Sequence, residues 1–177
     1  MTALTIEDPS LVLLVGPAGS GKSTLARRHF ALDEIVSSDA LRAVLSGDEA
    51  DQSVSGRAFA ILHREVARRA IEGRLTVVDA TNLRRSHRRS LVARAREAAV
   101  GAAAIVLDLP PDVIRARNAS RTRVVDGGIV TDQLGWLRRT IDGGQLGPEG
   151  FDPIIVLRDP EAVDRLAIVR VPLTRSG

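Results

Sequence analysis

The sequence predicts an α/β fold in which a mainly parallel β-sheet is sandwiched by α-helices. Short apolar runs that end in polar residues recur along the chain, and stretches with helical spacing of apolar residues separate them. The first run, Leu11–Val15, leads directly into a glycine-rich segment and then into a helical pattern. Strands that alternate with helices in this way lie parallel, so their carboxyl ends are expected to share one edge of the sheet.

The glycine-rich segment Gly16–Ser23 fits the phosphate-loop pattern G-x-x-x-x-G-K-[ST]. In that motif, backbone N–H groups converge on phosphate oxygens, the lysine reaches the β- and γ-phosphates and the hydroxyl ligates Mg²⁺. We therefore expect Lys22 and Ser23 to serve ATP, or another nucleoside triphosphate, with its Mg²⁺ ion. The other residues expected to bind this nucleotide are Gly16, Gly19, Ser20, Gly21 and Thr24.

Lys22 is also the only lysine among 25 basic residues, and all the others are arginine. An ammonium group is a compact point charge, whereas a guanidinium is a planar fork, and the two are not interchangeable at a phosphate. A glycine-rich turn that binds nothing is the alternative, but the flanking strand and helix are the context that the motif requires. The chain is therefore predicted to bind a nucleotide.

The remaining elements are predicted from apolar spacing and from glycine and proline positions. Strands are expected within Glu34–Asp39, Leu75–Asp79, Ala103–Leu109, Asp152–Leu157 and Ala167–Val171. Helices are expected over Ala40–Leu45, Ser53–Glu72, Arg84–Ala99, Pro111–Ser120, Thr131–Ile141 and Pro160–Leu166, whereas Arg121–Val130 and Gly143–Gly150 are expected to be irregular. Residues 1–177 are predicted to form a single domain, with a small arginine-bearing lid at approximately residues 117–140.

Composition excludes several classes of site. With no cysteine, the chain cannot form disulfides or thiolate metal sites, and its three histidines, His29, His63 and His87, lack metal-ligand spacing. No apolar run approaches the length of a membrane span, and Met1–Ser10 lacks the basic and apolar regions of a secretion signal. These observations predict a cytoplasmic protein with no membrane partner.

Asp39 and Arg42 lie three residues apart at the start of a predicted helix, so they share one of its faces. A carboxylate can accept the proton of an attacking hydroxyl, and a guanidinium can hold an anionic group of the acceptor. The alternative is structural, because Ser37, Ser38 and Asp39 also form a helix N-cap signature. The spacing alone leaves both interpretations open.

Asp79 ends a predicted buried strand and has three possible roles. It could support Mg²⁺, orient the acceptor, or hydrogen-bond Thr81 and Asn82 within the turn that follows.

A cluster of arginines, Arg115, Arg117, Arg121 and Arg123, enters the lid and could close over a triphosphate, or form an ordinary solvated helix face. The same question applies to Arg84, Arg85, Arg88, Arg89, Arg94 and Arg96; nothing aromatic interleaves with these, so a base-stacking platform is not expected.

Taken together, these motifs resemble those of the polynucleotide 5′-hydroxyl kinases, and most of all the kinase module of bacterial RNA end-healing and repair enzymes. The Ser-Ser-Asp-x-x-Arg and Val-Asp-Ala-Thr-Asn stretches discriminate best, and the matching pieces appear in the family's order over most of the chain. They are Gly16–Thr24 with His29-Phe30, Val36–Asp39 with Arg42, Asp51-Gln52, Leu75–Asn82, Arg117-Asn118, Arg121–Arg123 and Glu149–Phe151.

The resemblance implies a P-loop kinase-like fold, ATP and Mg²⁺ as cofactors, and nucleic-acid 5′-hydroxyl ends as partners. It implies that Asp39 is the general base and that Arg42 binds a phosphate of the acceptor strand. It further implies acceptor or metal roles for Gln52, Asp79 and Thr81, lid roles for Arg121 and Arg123, and a place near the nucleotide for Arg117. In the family pattern one more residue separates the last two lid arginines, so either could meet the γ-phosphate. The family's phosphatase and ligase modules do not appear here, so the protein would act alone or with separate phosphatase and ligase partners.

Two other functions remain open at this stage. A kinase of the same architecture could phosphorylate a small molecule such as an antibiotic, a sugar or a nucleotide-sugar. A nucleotide-driven regulatory ATPase is less compatible with the sequence, because no Asp-Glu pair follows the apolar strands. The guanine-reading motif Asn-Lys-x-Asp is also absent, since Lys22 is the only lysine.

Overall fold

The computed structural model describes residues 2–49 and 51–173, and within them seven strands alternate with eight helices. The strands are β1 (Thr2–Asp8), β2 (Ser10–Val15), β3 (Ile35–Ser37), β4 (Thr76–Asp79), β5 (Gly101–Leu107), β6 (Ile154–Leu157) and β7 (Leu166–Pro172). The helices are α1 (Lys22–His29), α2 (Ser38–Ser46), α3 (Ser55–Ile71), α4 (Arg85–Glu97), α5 (Pro111–Ala119), α6 (Gly127–Asp142), α7 (Leu146–Glu149) and α8 (Pro160–Asp164). Short 3₁₀ turns lie at Leu32–Glu34 and Gln52–Val54.

A five-stranded parallel sheet with the order β3-β4-β2-β5-β6 forms the centre of the fold. All six residues of β2 are buried between β4 and β5, with Leu11 opposite both Thr76 and Ala102. The chain leaves β2 where the strand order reverses, which is where ligands collect in open α/β sheets. The predicted phosphate loop therefore lies at the centre of the carboxyl edge.

Helices cover both faces of this sheet, as predicted. Alternate residues of β2 enter two separate apolar clusters: Leu13 packs with side chains of α3 and α4, and Leu14 packs with Leu25 of α1. This arrangement confirms the predicted α/β class with a mainly parallel sheet. Within the described ranges, no helix combines the length and the apolar character needed to cross a membrane.

The last strand does not join the central sheet. β7 pairs with β1 in a two-stranded parallel ladder that runs from Thr2 opposite Leu166 to Asp8 opposite Pro172. The sequence analysis predicts the last strand but not β1, whose buried Leu4 and Ile6 alternate over only a short stretch. The predicted single domain of residues 1–177 extends at both ends beyond the described residues.

The segments predicted to be irregular contain more helix than expected. α6 begins at Gly127 rather than at Thr131, because Asp126 Oδ1 accepts hydrogen bonds from the N–H groups of Gly128 and Ile129. The predicted loop Gly143–Gly150 contains α7, which ends at Gly150 in the left-handed conformation (φ 106°). A capping side chain thus outweighs the low helix propensity of two consecutive glycines at the start of α6.

The sequence allows two roles for the arginines of α4, binding phosphate or forming a solvated surface, and Arg88 has neither. Its side chain is fully buried, and its Nε and Nη2 atoms each donate to a carboxylate oxygen of Glu149 at 2.8 Å. Its Nη1 atom donates to the carbonyls of Asn82 (3.1 Å) and Leu83 (2.9 Å). This arginine therefore ties the loop after β4 to α7.

Candidate active site

A cleft of about 840 Å³ opens at the carboxyl edge of the central sheet, between the phosphate loop, α2, the loop after β4 and the predicted lid. All the predicted site residues line it except Gly16 and Ser20, which lie beneath the loop surface. Those lining it are Gly19, Gly21, Lys22, Ser23, Thr24, Asp39, Arg42, Gln52, Asp79, Thr81, Arg117, Arg121 and Arg123. The fold thus brings together residues from five separate parts of the chain.

The phosphate loop has the conformation that its glycines predict. Gly19 and Gly21 have φ values of +84° and +94°, which side-chain-bearing residues rarely adopt. A Cβ atom on Gly19 would also lie 2.6 Å from the Ile114 carbonyl oxygen. α1 begins directly after Gly21 without a side-chain cap, so its first N–H groups and the positive end of its dipole face the cleft.

Lys22 is 8% exposed, and its ammonium group folds back over the loop. Its Nζ atom donates to the Pro17 carbonyl oxygen at 2.7 Å and to Ser20 Oγ at 3.3 Å. Burial lowers the pKa of Lys22 from 10.5 to about 8, whereas the charges of Asp79 and Asp39 act to raise that pKa. Both carboxylates are therefore close enough to Lys22 for their charges to act on its ammonium group.

Asp39 does not cap α2, which was one of its two predicted roles. Ser37 is the N-cap residue, and its Oγ accepts the Ala40 N–H at 3.3 Å. The Asp39 carboxylate instead accepts a hydrogen bond from Arg42 Nη2 across one turn of the helix. The Asp39 side chain is 38% exposed and lines the cleft, so its carboxylate is accessible to an acceptor molecule.

Arg42 is held on two sides by the protein. Besides its contact with Asp39, its Nε atom donates to the Glu49 carbonyl oxygen at 2.7 Å. Its side chain is only 9% exposed, and two of its three nitrogens are engaged. The first effect of this arginine is therefore to orient the Asp39 carboxylate, and its predicted contact with an acceptor phosphate would use Nη1.

Arg121 and Arg123 lie in the 120–126 loop between α5 and α6, and Arg117 lies in the last turn of α5. Asn118 stabilises this loop, because its Nδ2 donates to the Val125 carbonyl at 2.7 Å and its Oδ1 accepts the Val125 N–H at 3.1 Å. Arg123 Nη1 donates at 2.8 Å to the Glu49 carbonyl oxygen, the acceptor that Arg42 also uses. Arg117 lies against the phosphate loop, and the Arg121 charge acts to lower the pKa of Lys22. Arg115, by contrast, is exposed and does not line the cleft.

Asp79 lies buried at the end of β4, facing the cleft. Its turn is closed by other groups: Asn82 Nδ2 donates to the Leu14 carbonyl at 2.7 Å, and the Thr81 carbonyl accepts the Gly16 N–H at 3.0 Å. In the described part of the chain, Asp79 makes no hydrogen bond with Thr81 or Asn82. The turn-stabilising interpretation is therefore wrong, and the metal and acceptor interpretations of Asp79 stay open.

Ser23 and Asp79 supply the kind of donors that Mg²⁺ prefers, a hydroxyl and a carboxylate oxygen. No group of three or more acidic or histidine side chains in the described ranges could hold a metal by itself. That fits Mg²⁺, which is usually held by one or two protein oxygens together with substrate phosphates and water.

The structure also places residues in the cleft that the sequence analysis did not single out. Gln133 of α6 accepts the Ala18 N–H of the phosphate loop through its Oε1 atom at 2.7 Å. Phe59 of α3 also lines the cleft. Gln52, in the turn before α3, accepts a hydrogen bond through its Oε1 atom from the Ser55 hydroxyl. At the other end, Asp164 accepts from Arg28 at 3.0 Å. No local motif marks any of these residues, because each meets its partner through the tertiary fold.

The amino-acid sequence also matches a known protein family over most of its length. A family model described as AAA domain matches residues 11–141, from β2 to the last turn of α6. The chain belongs to the AAA domain family. Within this family the chain has a P-loop kinase-like fold, since the match includes the phosphate loop, α2 and the lid. A search of curated proteins found no match.

Solved structures share the fold of this AAA domain protein. A sugar kinase from Janibacter sp. is 22% identical with a TM-score of 0.59, and the match covers 89% of this chain and 91% of that one. A chain of the Pnkp1/Rnl/Hen1 RNA repair complex is 22% identical with a TM-score of 0.64, over 77% of this chain and 46% of that one. Kti12 from Chaetomium thermophilum, solved with ADP-AlF3, is 17% identical with a TM-score of 0.63, over 88% and 94%. The fold is thus shared with a sugar kinase and with a chain of an RNA repair complex.

Proposed function

We propose that this protein is an ATP-dependent kinase that transfers the γ-phosphate of a nucleoside triphosphate to the 5′-hydroxyl end of RNA or DNA. The observation that carries the proposal is that Lys22 and the Asp39–Arg42 pair face one cleft, with Asp39 close enough to act on the pKa of Lys22. A nucleoside triphosphate bound by the phosphate loop and a 5′-hydroxyl group bound at α2 would then lie next to each other in the same cleft.

In this mechanism the Asp39 carboxylate accepts the proton of the acceptor hydroxyl, and Arg42 holds that carboxylate in position. The hydroxyl oxygen forms a bond to the γ-phosphorus as the bond from that phosphorus to the β,γ-bridging oxygen breaks, which releases ADP. Lys22, Arg121 and Arg123 neutralise the charge that develops on the transferred group. Mg²⁺, held by Ser23 with Asp79 nearby, would supply further charge neutralisation.

The acceptor assignment rests on the residues around Asp39. The Ser-Ser-Asp-x-x-Arg and Val-Asp-Ala-Thr-Asn stretches that resemble polynucleotide kinases both line the cleft, through Asp39, Arg42, Asp79 and Thr81. One structural neighbour belongs to an RNA repair complex, which agrees with this assignment, while sugar-kinase neighbours make a small alcohol the competing acceptor. Under the proposal, separate phosphatase and ligase partners carry out the other steps of end repair, in the cytoplasm.

The decisive experiment incubates the protein with γ-labelled ATP and Mg²⁺ and offers it 5′-hydroxyl RNA, 5′-hydroxyl DNA, mononucleosides, simple sugars or aminoglycosides. We expect label on the nucleic-acid ends and expect it to vanish when the end already carries a phosphate. Label on a sugar or an aminoglycoside alone would overturn the nucleic-acid assignment and leave a small-molecule kinase.

Variants connect that activity to the cleft. Asp39→Asn keeps the size of the side chain but removes the proton acceptor, so kcat should fall by roughly 10²–10⁴-fold while the affinity for ATP is retained. Arg121→Ala should lower kcat, whereas the matched change at exposed Arg115 should not, because Arg115 lies outside the cleft. Wild-type turnover in Asp39→Asn would exclude Asp39 as the base.

A further inference from the structure

Two pairs of flat side chains lie at the start of α4, and one of the four residues, Phe59, lines the cleft. The Arg84 guanidinium lies over the Trp136 ring of α6, 5.1 Å from its centroid. His87 lies in the first turn of α4, directly after Arg84, and its imidazole centroid lies 4.9 Å from that of the Phe59 ring of α3, tilted by 44°. We call these four residues, Trp136, Arg84, His87 and Phe59, the stacking row.

The sequence analysis expected no base-stacking platform, because no aromatic residue interleaves with the arginines of α4. In the structure, however, aromatic rings of α3 and α6, Phe59 and Trp136, contact His87 and Arg84 at the start of α4. Phe30 and Phe151 are buried in the core, whereas Phe59 and Trp136 are only partly buried. Among the described residues, Phe59 is the only aromatic side chain that lines the cleft.

The chemistry of the row suits nucleobases. Base–aromatic stacking is worth about 1–3 kcal/mol per base and tolerates any base, and guanidinium planes also stack on bases. Burial lowers the pKa of His87, with the Arg84 charge acting in the same direction, and its imidazole packs beside the Phe59 ring. Exposed Arg84 additionally brings positive charge, which favours a phosphate backbone.

We infer that the stacking row is the binding track for the unpaired bases of a single-stranded 5′-hydroxyl end, with Phe59 under the terminal base beside Asp39. This inference rests on the proposed kinase function and narrows its acceptor to a strand rather than a nucleoside or a sugar. A small acceptor in the cleft would reach only Phe59, whereas a strand leaving the cleft would pass His87 and Arg84 toward Trp136.

The test compares kcat/KM for two 5′-hydroxyl oligonucleotides that differ only in whether the terminal nucleotide carries its base. The wild type is expected to prefer the base-bearing acceptor by about tenfold, a value within the range for stacking on one aromatic ring. Phe59→Leu keeps an apolar side chain but removes the ring face, so it should abolish the preference. Phe59→Trp should retain the preference, and KM for ATP should stay constant in both variants.

Two further variants separate the track from general effects. Arg84→Ala should lower kcat/KM for an oligonucleotide but not for a 3′-phosphorylated mononucleoside, because only the longer acceptor reaches Arg84. Ile71→Ala, at an 80% exposed position on the far end of α3, serves as the matched control and should change neither value.

The outcomes distinguish this inference from the proposed function. If the wild type phosphorylates both oligonucleotides equally well, the stacking row is not the track and the polynucleotide kinase assignment survives. Equal losses for both acceptors in Phe59→Leu would likewise refute the stacking role. If no nucleic-acid end is phosphorylated while a small alcohol is, the proposed function itself fails.

Discussion

The buried ammonium of Lys22 should make the stability of this protein increase with pH above pH 8. Replacing Lys22 with an uncharged residue should remove this dependence. A pKa lowered from 10.5 to about 8 means that folding disfavours the charged form by about 3 kcal/mol. Below pH 8 both the folded and the unfolded chain carry the proton, and the full cost applies. Between pH 8 and 10.5 only the unfolded chain holds the proton, so stability should rise with pH.

Lys22→Met removes the titrating group but keeps a long, flexible, apolar side chain. The stability of the wild type relative to Lys22→Met should increase by about 2 kcal/mol between pH 7 and pH 9.5. For a chain of this size that corresponds to about 4–8 °C in the difference between the two melting temperatures. Thermal unfolding of both proteins at the two pH values measures it directly.

Few other groups in this chain titrate in the pH range of the measurement. The chain has no tyrosine, no cysteine and no second lysine, so apart from the N-terminal amine almost nothing else titrates in that window. A stability difference between wild type and Lys22→Met that does not change with pH would show that the ammonium is not held in a desolvated site. The same substitution should also abolish phosphoryl transfer, because the loop loses its only side-chain cation.

Two other substitutions test contacts that the sequence did not predict. Arg88→Met leaves the Glu149 carboxylate buried without its main partner and should destabilise the fold by about 3–5 kcal/mol in urea unfolding, whereas adding Glu149→Leu should recover much of the loss. An Arg88→Met protein as stable as the wild type would contradict the buried pair. Gln133→Leu deprives the Ala18 N–H of its acceptor and should cost about 1–3 kcal/mol, whereas Gln133→Glu, which still accepts, should cost less. Differential scanning calorimetry would refute this contact if the two Gln133 variants melted alike.

The parts of the fold that the sequence predicted are those governed by local patterns. β2, β4 and β5 are short apolar runs, and the phosphate loop carries its own conformational requirements in Gly19 and Gly21. β1 escaped prediction because its stabilising partner, β7, lies at the opposite end of the chain. Local spacing specifies an element, whereas pairing between distant strands depends on the assembled core.

The same division applies to the candidate site. The motif residues Lys22 and Asp39 could be proposed because phosphate chemistry limits which side chains and spacings are useful. Gln133 could not be proposed, since it meets Ala18 across 115 residues and belongs to no recognisable pattern. Arg88 and Arg84 look alike in sequence, yet one is a buried structural cation and the other lies on a ring at the surface. In a chain this rich in arginine, only the fold separates those roles.

The backbone oxygen of Glu49 connects two parts of the cleft wall. It accepts one hydrogen bond from Arg42 of α2 and another from Arg123 of the loop between α5 and α6. A shift of Arg123 toward the phosphates of a bound nucleotide would remove one of these two hydrogen bonds. The hydrogen bond from Arg42 to the Glu49 oxygen would then strengthen, and Arg42 would hold the Asp39 carboxylate more firmly. Under the proposed function, binding of the nucleotide would thereby orient the proton acceptor.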